Sequence, residues 1–253
     1  MVGKSRITLF GVPMDAMTAE ETCDVIDKAV TERRFIQHVV VNVAKIVHMQ
    51  SDEALFRSVA SCDIINIDGM GVVWAAKMCG HRVPERVAGI DLFLRLLDLC
   101  KERGFSVFLL GATPEVLNGA LLRISEQFAG LRIAGAHHGF FWDKEDAVVE
   151  QIRDSKADML FVAISSPLKE NFIARWGDRL GVSFVMGVGG TFDVISGKVA
   201  RAPLWMQRCG LEWFYRMMQE PRRMAKRYLT TNMVFLGLII RENWRRLFRS
   251  IGS

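Results

Sequence analysis

The chain predicts an α/β fold, Rossmann-like, with a mostly parallel sheet and helices on both faces. Short apolar, β-branched runs recur along residues 1–196, and the longer stretches between them carry apolar residues at helical spacing. Charge adds a further division: residues 197–253 hold twelve Lys/Arg against three acids, or +9, so the chain's net +5 leaves −4 for residues 1–196. The expected organisation is an α/β globule over 1–196 and a basic helical appendage over 197–253.

Taken in order, Ile7–Val12 reads as the first strand, and Thr18 with Glu21 has the capping-box pattern ahead of a helix over 19–33. His38–Val43 and Cys62–Ile67 are the next two strands, the second leading to a helix that starts near Gly71. Leu92, Leu96 and Leu99, with Phe93, Leu97 and Cys100, line one side of a helix over Gly89–Arg103. Ser106–Leu110 is a strand, after which Thr113-Pro114 supplies a cap and a first-turn proline to a helix ending near Gln127. Leu131–Ala136 is a strand, Asp143 is placed to cap a helix over 144–154, and Met159–Ile164 and Val182–Val188 complete the set. There is no internal repeat or low-complexity linker.

With 253 residues, half of them apolar, the chain can bury one substantial core and is neither disordered nor fibrous. Five scattered cysteines without a C-x-x-C pair suit free thiols in a reducing compartment. Only eight mostly apolar residues precede Asp15, so no signal peptide is expected.

In an open α/β sheet, ligands sit beyond the carboxyl ends of the strands. The predicted strand ends carry Asn42, Asp68-Gly69, Gly111-Ala112-Thr113, Ser165-Ser166-Pro167 and Gly187-Val188-Gly189-Gly190, a set suited to a nucleotide or another phosphate ester. Neither G-x-G-x-x-G nor G-x-x-x-x-G-K-[ST] occurs, which argues against a dinucleotide fold or a P-loop. Asp68 closes an apolar run beside two glycines and has two readings, a reactive carboxylate or a cap for the helix near Gly71. His137-His138 close a strand without partners at metal spacing and read as structural. Asp193 either touches substrate or caps a short helix before Gly197.

These residues resemble the WecG/TagA/CpsF glycosyltransferases. The matching pieces are Asn42 in V-x-N, Asp68-Gly69-Met70-Gly71, Arg86 with Gly89-Ile90-Asp91-Leu92, Phe108–Gly111, Ser166–Glu170 and Gly187–Asp193. The longest are Gly197-Lys198-Val199-Ala200-Arg201-Ala202-Pro203, Gly210–Arg216 and Glu220–Arg223. The resemblance implies transfer of a sugar from a UDP-sugar to a polyprenyl-pyrophosphate-linked saccharide with inversion, without a metal or other cofactor, and no Asp-x-Asp pair is present. It implies Asp68 as general base. Arg86 and the Gly111–Thr113 turn would meet the leaving UDP, and Asn42, Gly69, Gly89, Asp91, Pro167, Lys169, Glu170 and Gly189 would line the donor pocket. Arg216, Arg222, Arg223 and Arg227 would reach the acceptor pyrophosphate.

Two departures leave the donor open between UDP-N-acetylmannosamine types and a hexose such as UDP-glucose: Val40 stands where the family often has Thr, and Lys169 where it commonly has Gln. Lys169 equally reads as a solvated helix residue. A non-catalytic nucleotide-sugar-binding scaffold is the competing function, and it has no use for Asp68. The tail mixes Trp205, Trp213, Phe214 and Tyr228 with arginines, and Tyr228–Ile240 is too short an apolar run to span a bilayer. It suits an anionic membrane interface, peripheral on the cytoplasmic face of the plasma membrane, ahead of protein packing. No motif accompanies it for nucleic acid. Homo-oligomerisation is left open.

Overall fold

The computed structural model describes residues 6–219 and 221–251, with side chains described except at 222–228 and 245–251. The chain begins with β1 (Arg6–Leu9), β2 (Val12–Asp15), α1 (Ala19–Thr31), β3 (Ile36–Val41), α2 (Val43–Met49), α3 (Glu53–Ala60) and β4 (Ile64–Ile67). Next come α4 (Met70–Met78), α5 (Gly89–Arg103), β5 (Ser106–Gly111), α6 (Pro114–Gln127), β6 (Arg132–His137) and α7 (Glu145–Asp154). It continues through β7 (Met159–Ala163), α8 (Leu168–Trp176), β8 (Phe184–Gly187), α9 (Thr191–Ile195), α10 (Leu204–Arg208), α11 (Glu212–Gln219) and α12 (Pro221–Ile251).

The described strands form one sheet in the order β1-β2-β4-β3-β8-β7-β5-β6, parallel except for the β1–β2 pair. The α/β expectation therefore holds, with one correction at the start. The run read as a single strand, Ile7–Val12, folds back on itself, because Phe10 and Gly11 both take positive φ (53° and 78°) and make a two-residue turn. Arg6 Nε donates to Asp15 Oδ1 at 2.9 Å across the hairpin's open end, and Asp15 Oδ2 accepts the Ile65 N–H at 2.8 Å, which fastens the hairpin to β4.

Helix starts follow local chemistry where a side chain reaches the orphan amides. Thr18 and Glu21 make both halves of the capping box at 3.1 and 2.8 Å, and Thr113 accepts from the Val116 N–H at 3.3 Å. Asp143 does not cap α7. The chain tightens into a 3₁₀ turn over Trp142–Lys144, which places Asp143 inside the turn and leaves Lys144 at the cap position without a side-chain bond.

Helices α1, α5, α6 and α9 pack on one face of the sheet, while α2, α3 and α4 and, further along, α7 and α8 cover the other. β3 and β8 are neighbours, yet the helix after β3 lies on one face and the helix after β8 on the opposite one. That divergence opens a crevice beyond the carboxyl ends of β3 and β8, the switch point at which open α/β sheets bind ligands. α12 packs along α2. Phe235 is its anchor, buried at 5.4 Å, edge-on, from Phe10 in the hairpin turn. Among the described residues no helix is long and apolar enough to cross a membrane.

The carboxyl end of β5 has no room for a side chain at Gly111, where φ is +121° and an added Cβ would stand 2.4 Å from the Ala163 carbonyl oxygen. Gly111→Ala should destabilise the fold by about 2–4 kcal/mol, combining backbone strain with a clash against main chain that cannot yield. Urea unfolding of the two proteins measures this, and an unchanged midpoint would contradict it.

Candidate active site

Asp68 follows β4 directly, and its N–H donates to the Val41 carbonyl at 2.8 Å, which sets it level with the end of β3. Two positions earlier, the fully buried Asn66 holds His38 Nε2 at 2.8 Å and meets the Thr22 hydroxyl at 3.2–3.3 Å. Burial lowers the His38 pKa to about 4, so the imidazole is neutral and the strand bearing Asp68 rests on an uncharged polar network.

The capping reading of Asp68 fails. Gly69 is the N-cap of α4 at φ 98°, with no side-chain bond to that helix. The Asp68 carboxylate instead takes the Gly89 backbone N–H, in the first turn of α5. Burial pushes its pKa above the ordinary aspartate range. Arg86 opposes that shift, Glu212 adds to it, and the Gly89 N–H and Arg216 oppose it further.

Glu212 and Arg216 arrive on α11. The approach is close: Gly210, at φ +71°, lies so near Met70 that an added Cβ would stand 2.5 Å from its Cγ. An ion-pair ladder then fixes the helix. Arg86 Nη1 lies 3.4 Å from Glu212 Oε2, Arg201 Nε 3.8 Å from Glu212 Oε1, and Arg201 Nη2 2.7 Å from Asp91 Oδ1 in the first turn of α5.

A second charged group lies where α2 and α8 begin. Glu170 Oε1 accepts from Lys45 Nζ at 2.8 Å and from Lys169 Nζ at 2.9 Å, with all three residues buried. Burial would raise the Glu170 pKa, but Lys45 and then Lys169 hold it down at about 2. The solvated reading of Lys169 is therefore wrong. Its stem lies across Gly187 at the end of β8, where an added Cβ would meet its Cδ and Cε at 2.8 Å.

The structure gathers Asp68, Gly69, Arg86, Gly89 and Asp91 about the end of β4 and the start of α5. Asn42, at the end of β3, accepts the Lys45 N–H at 3.0 Å and caps α2. Pro167 caps α8 just before Lys169 and Glu170, and Gly189 stands at φ 55° in open space after β8. Gly111 and Thr113 lie further along the sheet, at the end of β5. Arg216 joins the Asp68 group, whereas the side chains of Arg222, Arg223 and Arg227 fall outside the described residues. Sequence reasoning missed Lys45, Arg201 and Glu212 as site residues. The last two lie within G-K-V-x-R-A-P and G-L-E-W-x-x-R, and Lys45 is a lone cation in the apolar stretch Val43–Val47. Asp193 sits inside α9, its carboxylate 3.5 Å from Lys198 Nζ, so it does not end that helix. Among the described residues no three His, Cys, Asp or Glu side chains converge as a metal site.

Fold and site together define an α/β protein that interleaves carboxylates and guanidiniums at the carboxyl edge of its sheet. The chain is a glycosyltransferase and belongs to the WecG/TagA/CpsF glycosyl transferase family, whose model matches residues 7–249. It is 36% identical over 197 residues to the N-acetylglucosaminyldiphosphoundecaprenol N-acetyl-beta-D-mannosaminyltransferase of Bacillus subtilis (strain 168), an alignment covering 78% of this chain and 76% of that protein. A protein of the same name from Bacillus spizizenii is 39% identical over 164 residues, covering 65% of this chain and 63% of the relative.

Glu170 Oε1 binds both buried ammoniums of its cluster. Glu170→Gln should cost about 3–5 kcal/mol at pH 7, the usual result of stripping the counter-ion from buried charge. The sign of the pH dependence follows from the depressed pKa: the contribution is fully present above 4.5 and is lost as pH falls towards 2. Chemical denaturation across that range reports it; equal stabilities at pH 7 would show that the cluster holds nothing together.

Proposed function

We propose that this chain transfers a hexosaminyl or hexosyl group from a UDP-sugar to a polyprenyl-pyrophosphate-linked saccharide, with inversion, in the synthesis of a bacterial envelope polysaccharide or exopolysaccharide. The observation that supports this reading most directly is the Asp68 carboxylate, seated at the start of α5 and ringed by Arg86, Glu212 and Arg216. An inverting displacement needs a base for the acceptor hydroxyl, and Asp68 takes that proton as the oxygen attacks the anomeric carbon. Its raised pKa makes it a stronger base than an exposed aspartate. Arg86 then faces the charge that develops on the leaving UDP.

The relatives' names give an N-acetylmannosaminyl group as what they transfer and a diphosphoundecaprenol-linked N-acetylglucosamine as what receives it. This chain takes an acceptor of that class, and an amino-sugar donor fits best. Val40, where the family often has Thr, lies close to Gly89, with an added Cβ there 3.5 Å from its Cγ2, so an apolar group stands next to the start of α5.

The acceptor's lipid sets the location. Leu229, Met233, Leu236, Ile240 and Trp244 are exposed and recur at three- and four-residue steps along α12, and Trp205 and Trp213 are exposed on the preceding segment. With the +9 of residues 197–253, this stripe suits an anionic membrane surface and peripheral attachment on the cytoplasmic side. Arg216, already beside Asp68, reaches the acceptor pyrophosphate, as do Arg222, Arg223 and Arg227.

Asp68→Asn should keep the fold and UDP affinity while lowering turnover about 10²-fold or more. The wild-type rate should fall as pH drops through a pKa above the ordinary aspartate range, because protonation removes the base, and the variant should lack that limb. UDP release assayed with a panel of UDP-sugars and a lipid-pyrophosphate saccharide reads both, and near-wild-type turnover would remove Asp68 from the chemistry.

For the membrane, Leu229→Glu with Ile240→Glu should abolish co-sedimentation with phosphatidylglycerol vesicles while leaving UDP binding intact. Vesicle binding unchanged by both glutamates would place the contact elsewhere.

A further inference from the structure

We propose that Arg86 and Arg201 form a two-guanidinium seat for a substrate diphosphate, and that the Glu212 carboxylate fills this seat until the diphosphate displaces it. The inference rests on the reading of the chain as a transferase that uses diphosphate substrates, and it adds Arg201 and Glu212 to the residues that govern binding.

Two guanidiniums converge on opposite oxygens of one carboxylate, Arg86 on Oε2 at 3.4 Å and Arg201 on Oε1 at 3.8 Å. Both distances exceed the ~2.7–2.9 Å of a good charge-assisted hydrogen bond, so the carboxylate satisfies neither arginine well. Arg201 shows this directly. Its Nε and Nη2 are buried, and among the described residues neither makes a hydrogen bond, although Nη2 stands 2.7 Å from Asp91 Oδ1. A buried guanidinium nitrogen without a hydrogen bond is uncommon, and Arg201 Nε is one, with the Glu212 carboxylate 3.8 Å away.

A diphosphate answers the mismatch. It offers more oxygens and more charge than a carboxylate, and it can meet each planar guanidinium with two of them. Asp91 keeps Arg201 in position once Glu212 has left, so the seat outlasts its internal occupant. Glu212 opens α11, the helix that also carries Arg216, and its release frees the first turn of that helix when substrate arrives. The UDP leaving group and the acceptor's lipid-linked pyrophosphate share this chemistry, and binding measurements separate them.

Titration calorimetry on the full chain, with UDP in one arm and farnesyl diphosphate in the other, gives the test. Glu212→Gln preserves shape but removes the competing charge, and it should bind one of the two ligands several-fold more tightly than wild type, even though loss of its ion pairs lowers the melting temperature. Glu212→Asp, too short to reach both arginines, should shift in the same direction and serves if the glutamine variant folds poorly. Arg201→Ala should bind that same ligand about tenfold or more weakly, and Arg201→Lys should recover part of the loss. Tightening in the UDP arm assigns the seat to the donor, and tightening in the farnesyl diphosphate arm assigns it to the acceptor. A Glu212→Gln protein that binds both ligands like wild type, or more weakly, overturns the placeholder role, and wild-type binding by Arg201→Ala overturns the seat. Should the wild-type chain bind neither ligand, the reading of its substrates as diphosphate esters falls first and the seat with it.

Discussion

A carboxylate at the end of a buried strand loses much of its hydration, and that loss raises its proton affinity. Asp68 is placed in this position by the alignment of β4 with β3, and the neighbouring elements are arranged to meet its charge. The first turn of α5 turns the Gly89 N–H towards it, Arg86 stands beside it, and α11 brings Arg216 from a distant part of the chain. The same approach brings Glu212, which acts in the opposite sense. The carboxylate is thus held between forces that favour and disfavour its charged form, and its basicity rises above that of an exposed aspartate while it remains able to ionise.

The Lys45–Glu170–Lys169 cluster obeys a different logic. Three buried charges do not make an economical core, since well-packed apolar groups of similar volume would usually serve stability as well or better. Its position explains it better than its energy does. Lys45 lies in the first turn of α2, Lys169 and Glu170 in the first turn of α8, and the Lys169 stem crosses the end of β8. These elements border the crevice where β3 and β8 send their helices to opposite faces. A rigid charged wall there fixes the shape and polarity of the crevice, which a softer apolar wall would not.

The α/β class was legible because parallel strands buried on both faces have to be near-continuous apolar runs: β5, β7 and β8 are such runs, and β3 and β4 are interrupted only by Gln37, His38 and Asn66. The hairpin was not, since Phe10-Gly11 lacks the Asn-Gly or Asp-Gly signature and the apolar residues run through the turn without a break. Asp68, Arg86 and Asp91 could be named from the motifs around them, but their partners could not. Arg201 and Glu212 lie more than a hundred residues from the groups they contact, and spacing within a motif says nothing about contacts at that range. Lys169 was misjudged for a related reason: a lysine in a first helical turn is normally solvated, and only the neighbouring Gly187 and Lys45 make its burial possible.

The partition of charge along the chain bears on how residues 197–253 meet the rest. A tail of +9 against a body of −4 would attract in almost any orientation, and simple attraction does not select one pose. The contacts at the site are reciprocal: the C-terminal segment contributes Arg201 to the body's Asp91 and Glu212 to the body's Arg86. A shift of either segment along the other would set like charges together, so the alternating ladder specifies register as well as affinity. Gly210 tightens the specification, because its contact with Met70 tolerates no side chain. Arg201 and Arg216 thereby stand at a defined distance from Asp68, and a transfer reaction at such a site needs that definition, since a misplacement of about 1 Å between reacting groups can cost as much as 10²-fold in rate.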